Sequence, residues 1–276
     1  MRLSPLPARL TDPMLALTDI YCRGDAALLD APAVAIVGSR DASPDALVFA
    51  GHLARAVVRA GLVIVSGGAR GIDFAAHDTA LRMGYGRLVC VLGSPLDPIS
   101  PAVSARVCDR VVAAGGAVVS EHPSGVETFK GFFRERNRII AALADLTIVA
   151  AARFGSGSLH TARYARELGK PVWAVPGAPW DGRMQGGNAL IAAWKASPIA
   201  SLGTCEKALR VMFGVSARSK APSRDRIEAL LAGRAHSADE LCAALVLPPE
   251  RLPSVIYEHL RSGRIVRGPD GKYRLV

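Results

Sequence analysis

The sequence predicts an α/β protein: an extended Rossmann-like, doubly wound, mainly parallel sheet followed by a small C-terminal winged-helix domain. Short apolar runs alternate with helical patterns over most of the chain, and glycine or serine stands where the runs end. Near the C-terminus the pattern changes to short helices and one hairpin signal. The runs are continuously apolar, as expected of strands covered on both faces.

Taken in order, residues 1–30 read as an irregular lead-in with one short helix. Val34–Val37 is the first strand, closing on Gly38-Ser39-Arg40, and a helix covers Pro44–Ala60. Gly61 stops that helix, and Leu62–Val65 forms a strand ending in Ser66-Gly67-Gly68. A helix over Ile72–Met83, a strand at Leu88–Leu92, a helix over Ala102–Ala114 and a strand at Ala117–Val119 follow. The alternation continues with a helix over Arg134–Leu143, strands at Leu146–Val149 and Val172–Val175, and a helix over Ser158–Leu168 between them. The core domain spans residues 31–213, and the small, basic stretch 214–223 reads as a linker. Residues 224–276 hold helical patterns at Arg226–Leu231, Ser237–Ala244 and Pro249–Ser262, then strand-like pieces at Arg264–Arg267 and Lys272–Leu275. Ser237 and Glu240 have capping-box spacing, and three helices plus a hairpin make a winged helix.

The 276 residues are 50% hydrophobic and carry a formal net charge of +10, which favours a polyanionic partner. Residues 222–276 hold 9 Lys/Arg against 7 Asp/Glu, so most of the excess lies in the larger domain. No apolar run is long enough to span a bilayer, no signal peptide is evident, and the cysteines lack metal or redox spacing. A cytoplasmic protein with reduced thiols and no membrane association is expected.

Three loops have the composition of phosphate cradles. Gly38, Ser39 and Arg40 follow one strand; Ser66, Gly67, Gly68, Arg70 and Gly71 follow the next; Ser156, Gly157 and Ser158 open a helix. Small residues let backbone N–H groups approach an anion, and a helix start adds partial positive charge. Neither a G-x-G-x-x-G fingerprint nor a Walker A lysine is present, which argues against a dinucleotide oxidoreductase or a P-loop ATPase. A basic, aromatic segment supplies Lys130, Phe133, Arg136, Asn137 and Arg138, with Phe132 and Arg134 among them. Cations track phosphates and aromatic faces stack on unpaired bases, although Arg134, Arg136 and Arg138 cannot share one helical face. The catalytic inventory is thin: Asp73 and His77 have i,i+4 spacing without a third ligand, and Asp73 reads as a brace for the Gly-rich loop.

Val34–Arg40, Val65–Asp73, Arg136–Leu143 and Ser156–Arg163, in that order, resemble the DNA-processing protein A (DprA/Smf) family, as do Tyr21–Leu29 and Val175–Gly177. The resemblance covers roughly Leu6–Leu209. It implies a homodimer that binds single-stranded DNA, protects it and loads the RecA recombinase onto it in natural transformation, with no catalysis and no cofactor. It also implies that Arg40 meets the DNA backbone, that Lys130 and Phe133 line the DNA pocket, and that Ser66, Gly67, Gly68, Arg70 and Ser156–Ser158 surround the strand. The chain departs from the family pattern at Ala150–Ala152, at Ser100-Pro101 and at Ser104.

Two rival readings stand beside it. A nucleotide phosphoribohydrolase of the Lonely-Guy type uses similar loops but needs an acid beside the third, and Phe154–Arg163 contains none. A transcription factor reading duplex DNA through its winged helix fits poorly with that domain's mild charge.

Overall fold

The structure is a computed structural model that describes residues 1–215, 227–228, 230–245, 249 and 252–276. The chain divides into two compact units, Met1–Val215 and Ser216–Val276.

The first unit is built on an eight-stranded sheet ordered β1-β5-β4-β3-β2-β6-β7-β8. Its elements are β1 (Tyr21–Gly24), β2 (Ala33–Gly38), α1 (Pro44–Arg59), β3 (Val63–Ser66), α2 (Ile72–Arg82), β4 (Leu88–Val91), α3 (Ala102–Ala113) and β5 (Ala117–Ser120). After these come α4 (Lys130–Glu135), α5 (Asn137–Leu143), β6 (Leu146–Ala151), α6 (Gly157–Glu167), β7 (Val172–Ala174), α7 (Gln185–Ala192), β8 (Ser197–Pro198) and α8 (Leu202–Met212). All neighbouring pairs are parallel except β1 with β5.

Alternation along each strand feeds two cores. In β2, Val34 and Ile36 face the layer of α1, α2, α3 and α8, while Ala33, Ala35 and Val37 face the layer of α5 and α6. The chain winds outward from β2 to β5, then returns through α4 and α5 to place β6 on the other side of β2. The strand order therefore reverses between β2 and β6, and a crevice opens above their carboxyl ends. Gly38 makes that junction tight: a Cβ there would lie 2.5 Å from Ile72 Cγ1 and 2.8 Å from the Ala151 carbonyl oxygen.

The N-terminal lead-in is not a separate appendage. It contributes three short 3₁₀ turns and strand β1, which closes the sheet edge against β5. Four residues beginning Tyr21-Cys22 are too few to show a period, so this strand is invisible in the sequence. Arg9 pins the lead-in to the core by donating 2.6 Å to Asp145 Oδ1, while Asp145 Oδ2 accepts the Ala33 N–H at 2.9 Å. The sequence pattern also stops at Val175 and misses β8, which extends the sheet, α8, which covers its first face, and α7, which packs on the second.

The second unit contains α9 (Ala238–Leu245), α10 (Leu252–Arg261) and a hairpin of β9 (Ile265–Arg267) and β10 (Tyr273–Leu275); Ile227, Glu228, Leu230 and Leu231 are also helical. Its core gathers Ile227, Leu231, Leu241, Leu252, Ile256 and Ile265. The capping box at α9 is formed, with the Glu240 N–H donating to Ser237 Oγ and the Ser237 N–H to Glu240 Oε2. Most of the linker reading, from residue 216 onward, lies outside the described residues.

Candidate nucleic-acid interface

Above the β2–β6 junction lies a cleft of about 470 Å³. Gly38, Ser39 and Arg40 form one wall, Ser156, Gly157 and Ser158 the other, and Lys130, Phe133, Arg136 and Asn137 of the α4–α5 segment close the third side. A second pocket of about 140 Å³ adjoins it, lined by Gly67, Arg70, Gly93, Pro101 and Ser104. Arg40 and Phe133 line both spaces, and the Arg40 guanidinium carbon stands 5.8 Å from the Phe133 ring centroid. The cation and the aromatic face thus form a partition between two compartments.

Each wall has a local cause. Ser39 is tied down by its own N–H to the Ala151 carbonyl at 2.8 Å, and its Oγ accepts the Asp41 N–H at 3.1 Å, so the exposed Arg40 projects from a fixed loop. On the far side, α6 begins at Gly157, and the Ser156 and Ser158 hydroxyls meet at 2.9 Å. The first-turn N–H groups of a helix lack intrahelical partners and carry partial positive charge. Asn137 holds this helix start to α5, its Nδ2 donating to the Gly157 carbonyl at 3.1 Å. Gly93 lets α4 lie against the end of β4: a Cβ there would sit 2.9 Å from Phe133 Cα.

Four candidate residues prove to be committed inside the protein. Ser66 is fully buried and donates from Oγ to the Ile36 carbonyl at 2.7 Å. The Gly67 N–H donates to Asp73 Oδ2 at 3.1 Å, so it has no donor left for a ligand. Arg136 is buried and donates to the carbonyls of Gly67 and Val91, although it borders both compartments. A Cβ on Gly67 would lie 2.5 Å from Arg136 Nη1, so this glycine is required by the arginine beneath it. Arg138 points away, bonding Glu121 Oε2 at 2.5 Å and the Leu15 carbonyl at 2.7 Å. Gly68, Gly71 and Arg138 line neither compartment. Gly68 and Gly71 shape the loop instead, both at positive φ, and Ser104 supports it by donating to the Gly68 carbonyl at 3.0 Å.

The reason lies in a helix break. The sequence pattern predicts one helix starting at Arg134, whereas α4 starts at Lys130 and ends at Glu135, and Arg136 sits between two helices. The break turns Arg136 inward and leaves Arg134 exposed on the cleft wall. Sequence reasoning thus favours Arg136 and Arg138 over Arg134, the reverse of their placement. It misses Arg153, Phe154 and Thr161 as well, while His160, which the sequence offers only as a catalytic candidate, also lines the cleft. Thr161 leaves its buried Oγ1 without a partner, and burial together with Arg134 and Arg163 pushes the His160 pKa down. Arg153 is bound to Asp41 at 2.6 Å. Among the described residues, Arg40, Arg70, Lys130 and Arg134 are exposed around the two compartments with no ion pair.

Asp73 and His77 form no site on the surface. Asp73 is the loop brace, buried behind Gly67. His77 is fully buried, and burial pushes its pKa down to about 4. A depressed pKa for a base means that the folded state resists protonation. Stability present above the ordinary value of 6.5 is therefore lost as the pH falls toward about 4. His77→Leu should remove about 3 kcal/mol of that acid-induced loss, read as a flatter stability-versus-pH curve in urea melts.

The model of the DNA recombination-mediator protein A family matches residues 5–209. The DNA processing protein DprA of Streptococcus pneumoniae is 40% identical over 172 residues, 62% of this chain and 60% of that protein. Protein Smf of Escherichia coli is 39% identical over 168 residues, 59% of this chain and 45% of that protein. The chain thus spans about half the length of the curated relatives it matches. Among solved structures, DNA processing protein A of Helicobacter pylori, studied for its single-stranded DNA binding mode, superposes with TM-score 0.69 and 31% identity, covering 78% of this chain and 97% of that one. The S. pneumoniae DprA structure superposes with TM-score 0.68 and 36% identity, covering 75% of this chain and 73% of that one.

Proposed function

The chain belongs to the DNA recombination-mediator protein A family, and on that premise we propose that it binds single-stranded DNA in the cleft, protects it and delivers it to the RecA recombinase during natural transformation. One observation carries the DNA reading: unpaired Arg40, Lys130 and Arg134 face the N-terminus of α6 across the same cleft. Phosphates fit the cations and the helix start, and an unpaired base fits the smaller compartment against Phe133. Duplex DNA keeps its bases stacked and cannot fill that compartment. The reading involves no covalent step: of the carboxylates bordering the cleft, Asp73 is buried and accepts the Gly67 N–H, and Asp41 pairs with Arg153. Release of adenine from AMP should stay at background.

RecA loading, homodimer formation and a cytoplasmic location are part of the same proposal, supported by family membership; among the described residues no helix is long and apolar enough to cross a membrane. The test compares oligo(dT) with duplex DNA, for the full chain and for a chain ended after Val215. Oligo(dT) should bind more tightly, with affinity falling steeply as salt rises, and truncation should leave this unchanged. Preference for duplex that disappears on truncation would transfer the function to the winged helix.

A further inference from the structure

The loop after β7 carries an exposed aromatic that the cleft does not account for. Trp180 is 86% exposed, a large apolar ring presented to water. The loop itself is tightly braced. Asn188 exchanges two hydrogen bonds with Gly177, accepting its N–H at 3.0 Å and donating to its carbonyl at 2.9 Å. Gly177 lies so close to Met184 that a Cβ would meet Met184 Cβ at 2.4 Å. The first turn of α7, where the loop ends, is joined to the cleft rim: the Gly186 N–H donates to the Ala152 carbonyl at 2.8 Å, one residue before Arg153 and two before the exposed Phe154. β7 runs parallel beside β6, so its following loop emerges at the same carboxyl edge as the cleft.

Resting on the single-stranded DNA reading, we propose that Trp180 is a stacking platform for a nucleobase of the same strand just beyond the cleft. Continuity with the cleft rim and the rigidity of the loop favour this occupant, because a fixed aromatic face receives an unpaired base at little ordering cost. The rim's cations are already neutralised, Arg153 by Asp41 at 2.6 Å and Arg183 by Asp181 at 2.9 Å. The platform therefore acts by stacking rather than by charge, and its contribution is insensitive to salt. This separates it from Arg40 and Lys130, whose contribution depends on counterion release.

The molecule supplies its own control. Trp194, 96% exposed, follows α7 and precedes β8, which places it at the amino edge of the sheet, away from the cleft. Trp180→Ala should weaken binding of an oligo(dT) of about 16 nucleotides roughly tenfold, with no change in the salt slope or in binding of the dinucleotide pTpT. Trp180→Tyr should restore most of the loss, and Trp194→Ala should have no effect. Tryptophan fluorescence of the Trp173→Phe, Trp194→Phe protein should be quenched by the long oligonucleotide. Long-oligonucleotide binding that is unchanged in Trp180→Ala, or that proceeds without quenching, overturns the platform and leaves the cleft reading intact. Failure of the unsubstituted protein to bind either oligonucleotide overturns both.

Discussion

Replacing Arg40 and Lys130 together by alanine should lower affinity for oligo(dT) by about 3 kcal/mol, roughly a hundredfold, at moderate salt. Both side chains are exposed on the cleft wall with no ion pair, so their charge is available to phosphate. Each neutralised phosphate on a single strand contributes about 0.7 to the slope of log K against log salt, so that slope should flatten by about 1.4. The loss should be the same for any oligonucleotide sequence, because phosphate contacts carry no base information. Arg40 adds a second effect, since its removal takes away the cation that faces the Phe133 ring. Thermal stability should be almost unchanged, within about 0.5 kcal/mol, because neither side chain is buried or bonded. A double variant that binds normally with an unaltered salt slope would show that the phosphates lie elsewhere.

Arg136→Met should have the opposite profile, a large cost in stability. The guanidinium is buried at the ends of β3 and β4, donating to the carbonyls of Gly67 and Val91, and its charge favours the ionised form of Asp73. Methionine fills much of the space but leaves both carbonyl acceptors unsatisfied and removes the charge that favours an ionised Asp73, a change that costs about 3–5 kcal/mol. In a unit of this size each kcal/mol lowers Tm by about 2–4 °C, so a fall of about 10 °C is expected.

Its pH dependence has a definite sign. Burial raises the Asp73 pKa, and the charge of Arg136 opposes that rise. A raised folded pKa gives stability that is full below the ordinary carboxylate value and is lost as pH rises through the folded value. Without Arg136 the folded value moves further up, so the deficit of Arg136→Met should grow as the pH rises and shrink as it falls toward the ordinary carboxylate value of 3.8. Asp73→Asn in the same chain should remove this dependence and recover part of the loss. Urea melts at a series of pH values decide the matter: a pH-independent deficit, or a loss below about 1 kcal/mol, would show that Arg136 is not what holds the Gly-rich loop.

Much of this architecture is legible in the sequence because strands covered on both faces read as unbroken apolar runs, and because helices begin where small residues follow them. Val34–Val37 and Leu146–Val149 belong to this class, and the reversal between their strands locates the cleft. What escapes is set by tertiary context. β1 exists because β5 offers an open edge. Arg134, Arg136 and Arg138 are chemically alike, and only the break between α4 and α5 sorts them into one cleft cation, one buried clamp and one partner of Glu121. Ser66 and Gly67 look like phosphate donors in sequence because a loop that packs on a buried arginine needs the same small residues as one that packs on an anion.

Amide hydrogen exchange, measured with and without oligo(dT), tests the central claim most directly. The account predicts slowed exchange at Arg40 and at Gly157 and Ser158, whose backbone N–H groups border the cleft, with no change along the β9–β10 hairpin. Protection confined to the winged-helix unit, with the β2 and α6 loops exchanging as in the free protein, would contradict it.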